Sequence, residues 1–535
     1  MVACVAVSGC APATKGGLGS KAVDAVALAR EGDAEVARGC YECLRSAVGK
    51  YEAALLAGGA VPRAKVIGAW VLVAAREREL GLQPSDAIER AQSRDSAPWA
   101  PAGGGKAPVP SGIVEAYLSV VATLPLRMEG VSKEALGASF QALRALAGWM
   151  EKEGETDPLN RLRQRAVEDG DQVAEYLLRS FTCARVGRMT TAGGALEDHP
   201  LTLPPNPNPS NLMAFLTATC GSRRSPEVEE PVLTRLLAEE PRFHEAHYFL
   251  GNLRLIEQKL VSAEREFLAA ANGVSRMTAA WARLGATRLA MEEYDWAAAD
   301  FGRALDIEPR QREALLGHSQ SLNYAGRFEE ALVPAQRLID FGSWFLSDAN
   351  FWLAFSELQL RRLQEADRHV REAKRTNPMN GDTARLTGLV AYALAEFDRA
   401  QGEFEQAVSR NAFDCEAHLH LGLVHGKKER FEPSIVSFVQ ARNCYSAAAS
   451  MVERKAGGIE TSLRSEARKE TARARSAQKL RAARRSQAGA SLGAAEGEAQ
   501  RGAYEAAMNY LNEAAVEADF AARVNELRNR IAARE

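Results

Sequence analysis

The residues best suited to chemistry form a short cluster: Cys415, His418, His420 and His425. Cys415 precedes His418 by three residues and His425 follows it by seven, so a helix would place all three on one face. Thiolate and imidazole groups are zinc ligands, and such a face could hold a metal ion. However, His418 and His425 also fall at packing positions of a repeat described below. We therefore expect satisfied core histidines, and we predict no metal or other cofactor.

A second candidate is the C-x-x-C pair of Cys40 and Cys43. The sequence has no second pair at zinc-ribbon spacing and no strand–helix–strand pattern around this one, so the signal is weak. On a helix, the two side chains would share a face. The pair could pack in the core, form a disulfide if the protein is exported, or do metal or redox work. We expect packing.

The first residues include Val7-Ser8-Gly9-Cys10, which resembles the lipobox of bacterial lipoproteins. In that motif, small residues precede a cysteine that is lipidated and becomes the first mature residue. No basic residue precedes the apolar run, which is shorter than in most secretory signals. The alternative is a short disordered start that contains Cys10. The resemblance implies a lipid anchor in the bacterial cell envelope. Ala11 follows the cysteine, where Asp would favour retention at the inner membrane, so we expect the outer membrane, facing the periplasm. The alternative is a cytoplasmic location.

The stretch 464–485 is strongly basic, with Glu466 and Glu470 as its only acidic residues. Such a charge could contact anionic lipid or nucleic acid. No aromatic residues interleave for base stacking, and large apolar residues are nearly absent. The whole chain carries 67 basic and 69 acidic residues, which offers no further argument for nucleic acid. We expect a solvated or partly disordered connecting helix and no nucleic-acid partner.

One pattern recurs six times between residues 244 and 448. Small residues recur at a nearly constant interval: Gly251, Gly285, Ser319, Ala354, Gly388 and Gly422. An alanine or serine follows each after twelve residues, and a Phe, Val or Ala follows after sixteen. Small residues let two helices approach closely, and the larger residue fills the space that remains. Pro309 and Pro378 end two of the units, because proline stops a helix.

This pattern resembles the tetratricopeptide repeat, a helix–turn–helix unit of about 34 residues. The unit 278–311 matches most fully, with Trp281, Leu284-Gly285, Tyr294, Ala297, Phe301, Ala304 and Pro309. The resemblance implies an all-α, right-handed superhelical solenoid, in which the first helices line a concave groove that binds a protein or peptide. The family's ligand-contacting positions carry the residues that we predict to bind a partner: Tyr248, Asn252, Tyr324, Phe351, Phe355, Arg385 and Tyr392. Several of them could instead pack against neighbouring helices.

A chain of 535 residues is long enough for more than one structural unit. We predict a signal-like segment and tether (1–20), a helical N-terminal subdomain (21–202), a Pro/Asn linker (203–210), the repeat array with one degenerate unit (211–448), a basic helical segment (449–500), and a partial repeat with a capping helix (501–535). Ala521, Val524, Leu527 and Ile531 form the single apolar stripe expected of that cap.

The sequence contains no phosphate-loop, zinc-protease, serine-hydrolase or dinucleotide signature. We therefore expect a non-catalytic scaffold for protein–protein interactions. Resemblance to envelope lipoproteins with such repeats implies a role in assembling envelope or secretion machinery. One alternative is a cytosolic regulator whose basic helix contacts nucleic acid. Another is an enzyme with an unrecognised N-terminal site, which a perturbed carboxylate or histidine in a deep pocket within 112–200 would favour.

Overall fold

The computed structural model describes residues 18–58, 63–80, 82, 176, 210–219, 226–342, 345–459 and 465–534. Within these ranges the chain forms helices joined by short turns and contains no strand, which confirms the predicted all-α class. None of the described helices combines the length and apolarity needed to cross a membrane. The chain divides into two compact units, residues 1–283 and 284–535.

The described helices of the first unit are α1 (Leu18–Arg38), α2 (Tyr41–Leu56), α3 (Arg63–Glu79), α4 (Asn211–Thr219), α5 (Pro226–Glu239), α6 (His244–Ile256) and α7 (Leu260–Gly273), and α8 (Thr278–Ala290) contains the boundary. The turn between α1 and α2 is made by Gly39, whose φ is +74°. A Cβ at Gly39 would lie 2.5 Å from the backbone nitrogen of Leu212 in α4. Glycine is therefore required both by the backbone conformation and by the close approach of α4.

In the second unit the helices are α9 (Tyr294–Ile307), α10 (Arg312–Tyr324), α11 (Phe328–Asp340), α12 (Leu346–Gln359), α13 (Leu363–Thr376), α14 (Gly381–Ala393), α15 (Phe397–Arg410), α16 (Cys415–Lys427), α17 (Phe431–Gly457), α18 (Glu466–Gln500), α19 (Tyr504–Ala514) and α20 (Ala521–Ala532). Consecutive helices from α9 to α19 pack on one another, so each hairpin buries its apolar face against its neighbours.

In four units the small residue of the first helix is glycine and faces the phenylalanine of the second helix, as the repeat pattern predicts. A Cβ at Gly388 would lie 2.6 Å from Cε1 of Phe404, which is fully buried. Where the small residue is Ser319, its hydroxyl donates instead to the carbonyl oxygen of Ala331 at 3.0 Å. The two helices of a repeat therefore approach closely because the residue between them is small.

The turn inside each unit contains one residue with a left-handed backbone. These residues have φ between 57° and 78° and recur in step with the small residues of the repeat: Gln258, Glu292, Gly326, Arg361, Ala395 and Glu429. The residue that follows donates its N–H back into the preceding helix, as from Glu396 to the carbonyl of Ala391 at 2.9 Å. This closes the helix C-terminus in the usual way. Only one of the six is glycine, so residue type alone does not mark the turn.

The C-terminal part of the array contains a complete seventh unit. Its first helix is the C-terminal half of α18, where a Cβ at Gly493 would lie 2.6 Å from the ring of Phe438. Its second helix is α19, in which Ala507, Leu511 and Ala514 are buried. We predicted a partial repeat in 501–535. The first helix of that repeat lies in 449–500, the segment that we predicted to be a basic helix.

Helix α20 covers the last unit. Val524, Leu527 and Ile531 are at most 3% exposed and join a core cluster with Leu511. Ala521, the fourth residue of the predicted stripe, is exposed. Burying three such side chains contributes about 1.5–3 kcal/mol each, which is sufficient to hold a short terminal helix in place.

Candidate functional site

A row of aromatic side chains runs across three consecutive repeats in the second unit of the fold. The ring of Tyr294 stacks on Tyr324 with centroids 5.2 Å apart, and Tyr324 meets Trp352 edge-on at 5.3 Å. Trp352 then contacts Phe351 at 5.1 Å and Phe355 at 5.7 Å. Tyr324 remains 52% exposed. The structure therefore brings three of the predicted partner-binding residues, Tyr324, Phe351 and Phe355, into one aromatic row.

These phenylalanines also contribute to packing. Phe351 and Phe355 are half-buried against a core cluster that includes Ala354 and Val370. Tyr392, another predicted residue, is half-buried and meets Phe397 at 5.8 Å. The alternatives of binding and packing therefore do not exclude each other here, since a half-buried ring packs against the core and keeps part of its surface exposed.

Arg385 lies in a cluster of carboxylates. Its guanidinium pairs with Glu416, with Asp414 at 3.1 Å and with Asp382 at 3.1 Å. Burial opposes the charge, but the neighbouring carboxylates, Glu416 first, raise the pKa of Arg385 above its usual range. Its hydrogen-bonding capacity is thus largely used within the array, and a partner would meet a net acidic cluster there.

The remaining two predicted residues lie in the first unit of the fold, on α6. The ring of Tyr248 meets Phe249 at 5.3 Å and Phe267 at 5.9 Å. The amide of Asn252 donates to the carbonyl oxygen of Tyr248 at 3.0 Å. Both side chains are half-buried.

The histidine cluster is built into the packing of α16. His418 is hydrogen-bonded to the carbonyl of Ala412 at 3.0 Å, and the ring of His420 stacks on Phe404 at 5.4 Å. His425 is buried, which lowers its pKa. Among the described residues, no three His, Cys, Asp or Glu side chains are placed to hold a metal ion. His418 and His425 are both buried at the repeat positions, but Nδ1 of His425 has no hydrogen-bond partner in the described part of the chain. The expectation of a satisfied core histidine therefore holds for His418 and not for His425.

Among the residues that the structure describes, four cysteines form two disulfides. Cys40 and Cys43 are bonded to each other and are completely buried, with Cys40 Sγ also accepting from the N–H of Cys43 at 2.9 Å. The sequence left packing, a disulfide, and metal or redox work open for this pair, and the structure shows the disulfide. Cys415 is bonded to Cys444, which joins α16 to α17. The spacing of 29 residues gave no sign of this pair in the sequence. Cys10 lies outside the described residues.

Acidic residues recur in the first turn of the first helices, and the sequence reasoning missed them. They stand one repeat apart, in four consecutive units: Glu313, Asp348, Asp382 and Glu416. An acidic side chain in the first turn stabilises a helix through its dipole. The signal that could have found them is their recurrence at the repeat period.

The basic stretch is not simply solvated, contrary to our expectation. Arg468 pairs with Glu293, and Lys479 pairs with Glu292 at 2.7 Å. Further along, Arg484 pairs with Glu453 at 2.6 Å. The stretch is thus a helix held by ion pairs to acidic residues of its own chain, which reduces the charge available to nucleic acid.

The first unit contains a buried ionic cluster that the sequence did not reveal. Arg76 of α3 and Glu245 of α6 are both fully buried and form an ion pair. The guanidinium of Arg76 also lies 4.2 Å above the ring of Phe215 and 3.2 Å from Glu79. Glu245 accepts the backbone N–H of Tyr41 at 2.7 Å. The cluster therefore ties α2 and α3 to the first helix of the repeat array.

Burial raises the pKa of Glu245 even though Arg76 beside it acts in the opposite direction. Tyr176 donates to Glu79 and also contacts Arg76. Tyr176 is the one described residue within 112–200, the range in which the enzymatic alternative was placed. Its own pKa is raised, mainly by burial. We interpret the cluster as a structural connection, since its charged groups face one another.

The paired helices, the contact between small and large residues, and the recurring left-handed turn define an array of the tetratricopeptide type. No family model and no curated protein matches the chain. Among solved structures, it is similar to YrrB, a TPR protein with an unusual peptide-binding site (18% identity, covering 37% of this chain and 97% of that one, TM-score 0.32). It is also similar to TTC0263, a TPR protein of Thermus thermophilus (21% identity, 38% and 98%, TM-score 0.28), and to pilF of Pseudomonas aeruginosa (19% identity, 38% and 92%, TM-score 0.33).

Proposed function

We propose that this chain is a non-catalytic scaffold that mediates protein–protein interactions by holding a protein or peptide segment in a groove lined by the first helices of the array. The aromatic row Tyr294–Tyr324–Trp352–Phe351/Phe355 carries the proposal. Tyr324 is the exposed member of the row, Trp352 beneath it is buried, and the other rings are half-buried. Aromatic side chains bury much area at low entropic cost, so a partly exposed aromatic row is typical of binding surfaces. Tyr392 extends the surface toward the sixth repeat. Tyr248 and Asn252 belong to the corresponding surface of the first repeat.

The charges near this surface favour a partner segment with basic side chains. Asp382, Asp414 and Glu416 outnumber the one arginine, Arg385, that they surround. Complementary charge increases association rate and specificity more than affinity. The partner segment should therefore combine apolar side chains for the aromatic row with Arg or Lys for the acidic cluster.

The test compares the full-length chain with its Tyr324→Ala variant as bait in extracts of native envelope, followed by binding measurements with the recovered protein after purification. Tyr324 is 52% exposed, so its truncation should weaken binding about 10-fold or more while leaving the fold intact. Phe413→Ala is the matched control, because Phe413 is an aromatic residue that is 82% exposed and lies outside the row. Equal binding by the folded Tyr324→Ala variant and the wild type would exclude this surface.

A second set replaces Phe351, Phe355 and Tyr392 by Ala. These side chains also pack, so the variant needs a circular-dichroism and thermal-unfolding control before a loss of binding is assigned to the groove. Retained binding in a folded triple variant would contradict the assignment of these residues.

For the location, we propose a lipid anchor at Cys10 and a position on the outer membrane facing the periplasm, within assembly or secretion machinery. The two disulfides support export, because disulfides persist in oxidising compartments and are rare in the cytosol. Metabolic labelling with a fatty acid, in wild type and in Cys10→Ser, tests the anchor. A wild-type protein that takes up no label and fractionates with the cytosol would contradict it.

A further inference from the structure

One face of residues 466–486, the N-terminal half of α18, lies against the array, and the opposite face is exposed. Half-buried positions recur every three or four residues along it: Arg468, Ala472, Arg475, Lys479, Ala483 and Ser486. This is the spacing of a helix docked along one side. No residue of 466–486 is fully buried. The segment therefore lies at the surface and packs beside α17, where Arg484 pairs with Glu453, whereas the rest of α18 belongs to the seventh repeat.

The docked face reaches back to the turn before α9, in the second repeat. Arg468 pairs with Glu293 through two hydrogen bonds, one of them 3.2 Å between Nε and Oε1. Lys479 pairs with Glu292 at 2.7 Å. Between them, the guanidinium of Arg475 lies 4.8 Å from the ring centre of Tyr294. The three basic side chains thus hold the helix at the Tyr294 end of the aromatic row.

This contact is of a kind that can open and close. The ion pair of Lys479 with Glu292 is partly exposed and contributes little, as does the single cation–π contact. The side chain of Glu293, the partner of Arg468, is only 8% exposed, so that pair contributes more. Together they favour the closed state by a factor on the order of 10 to 100. Opening exposes little apolar surface, because Leu480, which is half-buried, is the one large apolar side chain within 466–486. The seventh repeat would keep the released helix tethered.

We infer that residues 466–486 are an intramolecular ligand of the array, and that the partner carries an Arg- and Lys-rich helix that replaces them at Tyr294. The second part rests on the proposed function. Basic side chains on an alanine-rich helix match what this end of the array offers, which is two glutamates beside an aromatic ring.

The first experiment measures hydrogen exchange in the full-length chain. Arg468→Glu/Lys479→Glu should raise amide exchange in 466–480 about tenfold and leave the repeats 312–444 protected. Arg454→Glu/Arg481→Glu is the matched control, with the same charge change at exposed positions of α17 and α18, and it should leave the exchange unchanged. Adding Glu293→Arg to Arg468→Glu should restore protection. Equal exchange in the wild type and the double variant, or no difference from the control, would overturn the intramolecular contact.

The second experiment adds a labelled synthetic peptide of residues 466–486 to the full-length proteins. The double variant retains Glu292, Glu293 and Tyr294, so it offers the peptide an unaltered surface. A short tether supplies an effective concentration on the order of millimolar, which predicts a Kd on the order of 10–100 µM for the opened variant. The wild type should bind at least tenfold more weakly.

Two results overturn the inference. One is an opened variant that does not bind the peptide, and the other is binding that persists when the peptide carries glutamate at the positions of Arg468 and Lys479. The outcome is distinguishable from failure of the proposed function. Partner capture that survives Tyr324→Ala excludes the groove for that partner, while tenfold stronger peptide binding by the opened variant still establishes the intramolecular ligand.

Discussion

Replacing Arg76 by Met should destabilise the first unit of the fold more than any surface change. Arg76 and Glu245 are both 0% exposed, so the variant leaves a carboxylate buried without its cation. Removing one partner of a buried ion pair typically costs about 3–5 kcal/mol. The cation–π contact over Phe215, at 4.2 Å, adds to the loss. For a unit of this size the melting temperature should fall by about 10 °C, at roughly 2–4 °C for each kcal/mol.

The assay combines calorimetry of the full chain with hydrogen exchange in α2 and α6, the helices that the cluster joins. Because a multidomain chain need not unfold in one step, exchange assigns the loss to the correct unit. The double variant Arg76→Met/Glu245→Gln should recover roughly 1–3 kcal/mol of the loss, since it removes the unpaired charge and keeps an acceptor for the N–H of Tyr41.

Arg38→Met is the control, because Arg38 is 49% exposed and its partner Glu35 keeps a second cation, Arg242, at 3.1 Å. It should cost less than about 1 kcal/mol. The reasoning is refuted if Arg76→Met is no more damaging than Arg38→Met, or if the double variant loses as much as the two single variants together.

Three further outcomes are expected. Ala395→Gly should raise the free energy of unfolding by about 0.5–1 kcal/mol in denaturant titration, because φ is +60° there and a Cβ is strained in that conformation; a loss of stability would contradict this. Burial lowers the pKa of His318 and His425, so the unfolded chain binds protons more readily and stability should fall as pH drops below about 6.5, by up to about 1.4 kcal/mol per pH unit and group. His318→Gln/His425→Gln should flatten that slope in melts between about pH 7.5 and 5.5, and an unchanged slope would contradict the assignment. Cys415→Ser/Cys444→Ser should cost about 3–4 kcal/mol for a loop of 29 residues, measured by calorimetry, and alkylation of both thiols in unreduced wild type would contradict the disulfide.

Much of the array was predictable because its determinants are local. Gly388 and Phe404 lie sixteen residues apart, within one hairpin, and their sizes alone indicate that two helices approach closely there. The apolar stripe of α20 was predictable for the same reason, because its apolar residues recur every three to four positions. These patterns recur in each repeat, so the sequence shows the same pattern several times.

The candidate site was predictable only in part. Tyr324, Phe351 and Phe355 were found from their positions in the repeat, but their contact through Trp352 follows from how successive hairpins stack. The sequence also predicted Arg385 as a partner-binding residue. Only the fold brings Glu416 and Asp414 against it from the next unit, and these carboxylates take up its charge.

By itself, the sequence determined the helical class, the length of the repeat unit and the faces that pack, because each depends on residue size and spacing over a few turns. The tertiary structure decided which distant charges meet. Arg76 and Glu245 are 169 residues apart, and Arg468 and Glu293 are 175 apart, with no period that links them. Such a pair forms only where the path of the chain returns to the same place, and that path is the sum of many packing angles that no short stretch of sequence contains.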